Sequence, residues 1–212
     1  MRSQVTVIAR PDRSPHIECA GGIAARLTGP DTVHLVSSAA TPLGGDTIEI
    51  RLVVHHGARL ALRTVAATVV LPGAGTVESR ASWALEVAGD LDVDPQPTIV
   101  AAASRHVATT RLHLALGGSV RYVERVQIGR SGERQGFWSG SLHADVDGTP
   151  LLRHRVELGA GSLADDDIAA PLASISELRY PRTDVDAAGT TLELAAGGCL
   201  STWQGERLPP AR

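Results

Sequence analysis

His143, Asp145 and His154 flank the turn signal Asp147-Gly148-Thr149-Pro150, and two imidazoles with a carboxylate are the donors that suit a borderline ion such as nickel or zinc. Reading 147–150 as a four-residue loop pairs Val146 with Leu151. That sets His143 directly opposite His154, on the face that also carries Asp145. A polar cross-strand pair that binds nothing is the competing reading of the same residues. The other histidines offer less: His55 and His56 are adjacent, and His106 and His113 have opposite parity on one strand, so each pair diverges. Cys19 and Cys199 lie outside any Cys-x-x-Cys or Cys-x-x-His arrangement, which leaves two idle thiols rather than a zinc or redox motif. No nucleophile elbow, phosphate loop, dinucleotide fingerprint or His-Glu-x-x-His is present, so the expectation is a protein that is not an enzyme.

The elements that position these groups are strands. Among 212 residues there are 22 glycines and 12 prolines, and they cut short Ala-, Val- and Leu-rich runs at regular intervals. This pattern predicts one all-β domain over 1–212 with one or two short helices and a loose tail from about 208. In Thr47 to Val54, Ile48, Ile50 and Leu52 alternate with Thr47, Glu49 and Arg51, as in a strand with one buried face. A unit of turn, small residues and apolar strand recurs at His55 to Val65, Glu86 to Leu91 and His113 to Val120. The repeat predicts stacked β-hairpins, solenoid-like or sandwich-like. Pro95 and Pro97 remove two backbone donors, which predicts a corner at a sheet edge. The run from Ala164 through Asp167 into Ile168, Leu172, Ile175 and Leu178 has caps and helical spacing, and predicts one short helix. A net charge of −3 gives no basic field for nucleic acid or an anionic membrane, and no apolar run is long enough to span a bilayer. The expected location is the cytoplasm.

The segment from Ser119 to Gly140 reads as strand, charged loop and strand. Gly129, Gly132 and Gly136 carry Arg130, Glu133 and Arg134 on a tight loop before Phe137. Its Gly129-Arg130, Gly132-Glu133 and Phe137 resemble the urease accessory proteins of the UreD/UreH family. The resemblance continues in order through Pro42-Leu43-Gly44-Gly45-Asp46, Gly57-Ala58-Arg59-Leu60, Thr64 with Ala66-Ala67-Thr68, and Pro95-Gln96 with Thr98-Ile99-Val100. Two departures stand out: Val69 where the family has a cation, and Pro97 where it has Glu. The N-terminal section and the loop before Pro42 are also shorter than the family's.

The resemblance implies a β-rich, helix-poor fold and a nickel-insertion chaperone. Such a chaperone docks on apo-urease and binds the helical accessory protein UreF and, through it, the GTPase UreG, so that nickel is guided into the urease active site. No cofactor is held tightly, and nickel contact is transient. Arg130 and Glu133, with Asp46 next, are the expected passage or partner-binding residues. A turn-stabilising ion pair or cap is the alternative for all three. An unrelated β-sandwich binding module is the alternative for the whole chain.

Overall fold

The computed structural model describes residues 1–163, 165, 170–183 and 189–210. The chain winds between two sheets. Strands β1 (Arg2–Ala9) and β2 (His16–Ala20) lie in the first sheet, and β3 (Ile23–Leu27) and β4 (Thr32–Ser37) lie in the second. It then alternates: β5 (Thr47–Val54) in the first; β6 (Arg59–Thr64) and β7 (Thr68–Val70) in the second; β8 (Glu78–Val87) in the first; β9 (Asp90–Val93) and β10 (Thr98–Val100) in the second; β11 (Arg105–Leu114) in the first; β12 (Ser119–Ile128) in the second. Strands β13 (Phe137–Val146) and β14 (Thr149–Gly159) finish the first sheet. Strands β15 (Ala173–Tyr180), β16 (Thr190–Glu193) and β17 (Cys199–Gly205) finish the second.

The middle of each sheet is parallel, running β1-β5-β8-β11-β13 in one and β4-β6-β9-β12 in the other, with antiparallel pairs at the ends. This is a solenoid-like, all-β stack. The recurring units are arches rather than hydrogen-bonded hairpins, because the strands on either side of each turn belong to opposite sheets. Each strand pairs with its counterpart one coil away. The turns stack in the same way: Ala88 N–H donates to Val54 O (2.8 Å), Asp90 to Ala58 O (3.0 Å), Ala115 to Val87 O (2.9 Å) and Ser119 to Gly89 O (2.9 Å).

Alternation sends one face of every central strand into the space between the sheets, where Leu52, Leu85 and Leu112 from one side meet Leu62, Leu91 and Tyr122 from the other. A smaller cluster around Val100, Ile128, Trp138 and Leu158 closes the end beside the charged loop.

Among the described residues there is no helix. The helix expected near Asp165 to Leu178 is corrected: Ile175 and Leu178 lie in β15, and positions 164 and 166–169 fall outside the described residues. Ser174 and Ser176 occupy inward positions of that strand, so its period-two pattern is masked by polar residues while Leu172, Ile175 and Leu178 mimic a helical spacing. Leu208, expected to open a loose tail, is tied by its N–H to Gln127 Oε1 (2.9 Å). No helix of the described residues is long and apolar enough to cross a membrane.

The stacked turns demand glycine where one backbone crosses another. A Cβ on Gly89 would sit 2.3 Å from Ala58 O and 2.5 Å from His55 O, and one on Gly118 would sit 2.6 Å from Val87 O. These contacts are backbone atoms of the neighbouring turn, which cannot rotate away. Gly89→Ala is therefore expected to lower stability by about 1 to 3 kcal/mol, measured by urea unfolding, whereas Gly75→Ala, with open space around its Cβ and no positive φ, meets no such clash.

Candidate functional site

The second sheet is interrupted in its middle. β12 pairs with β9 over Ser119 to Tyr122 and with β10 over Val126 to Ile128, so residues 123–125 have no ladder partner on that side. Between β9 and β10 the chain detours through Asp94-Pro95-Gln96-Pro97, and between β6 and β7 it detours through Val65-Ala66-Ala67. The two detours are joined by Gln96 N–H to Thr64 Oγ1 (2.8 Å) and Thr68 N–H to Pro97 O (2.9 Å). The prolines thus stand at a gap inside the sheet and not at its edge, which corrects the expectation from sequence. Their missing N–H groups cost no ladder bond where the ladder is already broken.

An ionic frame holds this window open. Arg121 donates to Asp94 (2.8 Å), Asp92 (3.1 Å) and Glu177 (3.0 Å), while Arg125 donates to Asp94 and to Pro95 O (3.1 Å). Burial would raise the Asp94 carboxyl, but the bonds to Arg125 and Arg121 outweigh it and leave it below its ordinary value.

Behind the window is a cavity of about 230 Å³. Its rim includes the exposed Ala66, Ala67 and Gln96, so it opens to solvent there. Trp83, His106 and Trp138 of the first sheet and Tyr122 and Glu124 of the second line its interior. Tyr122 Oη and Thr110 Oγ1 are hydrogen-bonded across the sheets at 2.8 Å. His106 is 5% exposed and its Nδ1 is 2.9 Å from Ser79 Oγ; desolvation brings its pKa down to about 4, so the ring is neutral.

Glu124 has the same inward parity as Tyr122. It is half-buried and lines the cavity. Among the described residues nothing hydrogen-bonds its carboxyl, and desolvation pushes its pKa up to about 7. Gly140 makes room for it, since a Cβ there would lie 3.0 Å from Glu124 Oε2 and 2.2 Å from the Trp138 ring. The sequence signal was available: Glu124 follows Val120 and Tyr122 on the apolar side of the strand, an acid where alternation calls for a buried residue.

The residues expected from sequence stand elsewhere. β13 and β14 are joined by a two-residue turn, Asp147-Gly148, with a bulge at Ala144/Asp145, so His143 pairs with Arg153 and Leu142 with His154. The two imidazoles therefore stand on opposite faces, which corrects the facing-pair geometry. His154 turns inward to Ser176 Oγ (3.2 Å), and Asp145 is held by Arg153 (2.5 Å). Among the described residues no group of three or more His, Cys, Asp or Glu is arranged to hold a metal.

Asp46 is buried and accepts from Leu43 N–H and Thr41 Oγ1 (2.9 Å each) and from the amino group of Met1. Burial would raise its pKa, but these bonds leave it lowered. It shapes the Pro42 turn, and Thr41 and Pro42 in turn line the cavity.

Glu133 accepts from Arg130 Nε (2.9 Å), Arg130 Nη2 (2.5 Å), Arg130 N–H (3.1 Å) and Ala102 N–H (2.9 Å), bonds led by the Arg130 side chain that bring its pKa down to about 2. The loop packs tightly on itself, because a Cβ on Gly129, at φ +80, would lie 1.9 Å from Glu133 O. Arg130 itself is exposed.

Glu124 and His106 make opposite demands on pH. Between about 4.5 and 7 the unfolded chain has lost the glutamate proton that the folded chain keeps, so stability falls as pH rises through that window. Between about 4 and 6.5 the unfolded imidazole is charged and the folded one neutral, so stability falls as pH drops. For one full proton each slope is about 1.4 kcal/mol per pH unit, and over about pH 4.5 to 6.5 the two oppose each other. Glu124→Gln is expected to unmask the histidine slope: its stability rises with pH across that window, while the parent changes less. Urea midpoints taken at several pH values decide it, and parallel profiles for the two proteins count against the assignment.

A family profile described as UreD urease accessory protein matches residues 23–179. A protein named urease accessory protein UreD 1 from Saccharopolyspora erythraea is 40% identical over 166 residues, covering 77% of this chain and 62% of its own length. The urease accessory protein UreD of Frankia casuarinae is 37% identical over 176 residues, 75% of this chain and 55% of its own. That of Streptomyces coelicolor is 33% identical over 184 residues, 82% and 72% respectively. The chain thus spans 62% and 55% of the length of the first two relatives.

Proposed function

We propose that this chain, which belongs to the UreD urease accessory protein family, takes part in urease maturation as a non-enzymatic nickel-insertion chaperone. In this reading it works in the cytoplasm, docks on apo-urease, and joins the helical accessory protein UreF and through it the GTPase UreG. Nickel is its cargo and not a resident cofactor.

The observation that carries the reading is the interrupted sheet. A gap framed by Arg121, Arg125 and Asp94 opens onto a cavity lined by a half-buried carboxyl, without a hydrogen-bond partner among the described residues, and by a neutral histidine. A carboxylate and an imidazole are ordinary donors to a borderline cation, and two donors without a closed set hold it weakly enough to release it. The arrangement suits guidance of an ion better than storage.

Closing the window is the direct test. Ala67 is exposed and lines the rim, so Ala67→Trp adds bulk there without entering the apolar core. The expected outcome is loss of urease activation in cells that express the folded variant at normal level, with capture of the partner proteins unchanged. Full activation by a folded Ala67→Trp chain rejects the passage.

Arg130 is proposed as a docking residue. Its guanidinium is exposed, while the bonds that shape the loop are accepted by Glu133 from backbone N–H groups of Arg130 and Ala102. Arg130→Ala keeps those two backbone bonds and is expected to leave thermal unfolding nearly unchanged while weakening pull-down of apo-urease or the helical partner. Glu133→Ala removes the loop's acceptor and is expected to shift unfolding as well. If Arg130→Ala binds both partners like the parent, the residue serves only its local ion pair.

A further inference from the structure

We propose that the cavity is a binding site for a small organic cation, an aliphatic chain ending in an ammonium or guanidinium group, with the chain on a floor of small side chains and the charged head at Glu124. The site goes beyond the reading of the cavity as an ion passage and does not depend on it.

The cavity is built by register. The parallel ladder of the first sheet aligns Ile48, Ala81, Ala108 and Gly140 in one row across β5, β8, β11 and β13. The row on one side carries Trp83, Thr110 and Leu142, and the row on the other carries His106 and Trp138. Two alanines and a glycine in line therefore leave a trough between bulky neighbours. Its end at Gly140 is filled by the Trp138 ring, since a Cβ there would stand 2.2 Å from Trp138 Cζ2 and Cη2, while Ala81 and Ala108 still line open space. At about 230 Å³ the cavity is larger than an engineered apolar cavity of about 150 Å³ that takes benzene.

The chemistry of the walls selects the guest. Val65, 62% exposed, and the exposed Ala66 and Ala67 form an apolar lip with Pro95. Glu124 belongs to residues 123–125, where β12 lacks a ladder partner on one side, so the acid stands at the opening. Its side chain reaches from the second sheet to the first: a Cβ on Gly140 would lie 3.0 Å from Glu124 Oε2, which places the carboxyl beside the Trp138 ring. Arg125, the cation that also borders the cavity, is bound to Asp94 and to Pro95 O and offers nothing to an anionic guest. A neutral guest filling the trough would strip water from the Glu124 carboxylate and leave it unpaired. A cation pairs with it instead, and a cation against an aromatic ring is stabilised further. An aliphatic stem then covers Ala81 and Ala108, as the stems of long basic side chains cover apolar surface.

Calorimetric titration of the full chain with n-butylguanidinium tests this without reference to urease. The parent is expected to bind the probe saturably, and Glu124→Gln about tenfold more weakly. Neither n-butanol, which has the stem without the charge, nor the bare guanidinium ion, which has the charge without the stem, is expected to match it. Ala108→Val fills the floor and Ala67→Trp closes the lip, and each is expected to weaken binding while urea unfolding shows a folded chain. The proposal is overturned if the parent does not bind the probe, if n-butanol binds as well, or if Glu124→Gln binds like the parent. A basic side chain of a partner protein carries the same chemistry, so capture of apo-urease and of the helical accessory protein by Glu124→Gln is the second arm. Unchanged capture is expected; a fall in capture with no binding of the free probe gives the site to that side chain and overturns a free ligand. The passage stands or falls separately. If the probe binds while Ala67→Trp activates urease normally, the cation site stands and the passage reading fails; if the probe does not bind and that variant fails to activate urease, the reverse holds.

Discussion

The molecule depends on the parallel backbone ladder that repeats from coil to coil. Each strand satisfies its N–H and C=O groups on neighbours one coil above and below, and the turns do the same through bonds such as Ala88 to Val54 and Asp90 to Ala58. A parallel stack of this kind leaves the inner faces free to be apolar and close together. It also makes any interruption conspicuous, because unpaired backbone groups need other partners. The gap beside residues 123–125 of β12 is such an interruption. Prolines remove donors there, and the Arg121, Arg125 and Asp94 network replaces the missing ladder by fixing the detour from the outer face.

Strand positions and the all-β class were legible in the sequence because both follow from alternation and from glycine at turns. Partner choice was not. Alternation records which way a side chain faces and says nothing about which strand lies beside it, so His55 to Val65 reads equally well as a hairpin and as an arch between sheets. Gly89 and Gly118 carry the distinguishing information, but only as a steric need that appears once the next turn is stacked against them.

Register failed for a related reason. Asp147-Gly148 takes φ of 48 and 76, the two positive values of a two-residue turn, and Pro150 sits harmlessly in the edge strand β14. Reading Pro150 as part of the loop lengthened the turn, and the bulge at Ala144/Asp145 was not anticipated. A shift of one residue exchanges the faces of a strand. For that reason His154, expected beside His143 on the surface, instead points inward to Ser176. The candidate site was hidden more deeply. Its residues come from β8, β11, β12 and β13, which are brought together only by winding, and its opening is defined by the absence of pairing.

Glu124 is the place where local stability and the proposed role pull apart. An apolar residue of similar size at this position would remove the cost of enclosing an acid, and the space is already shaped by Gly140, whose missing side chain leaves room for the carboxyl beside Trp138. A nearby lysine or arginine would also neutralise the charge, but it would hold the carboxylate permanently ionised and would repel an entering cation at short range. The same low-dielectric surroundings that raise the glutamate lower the histidine, so one physical cause moves the two groups in opposite directions. Their opposing contributions to stability are the thermodynamic trace of that shared environment.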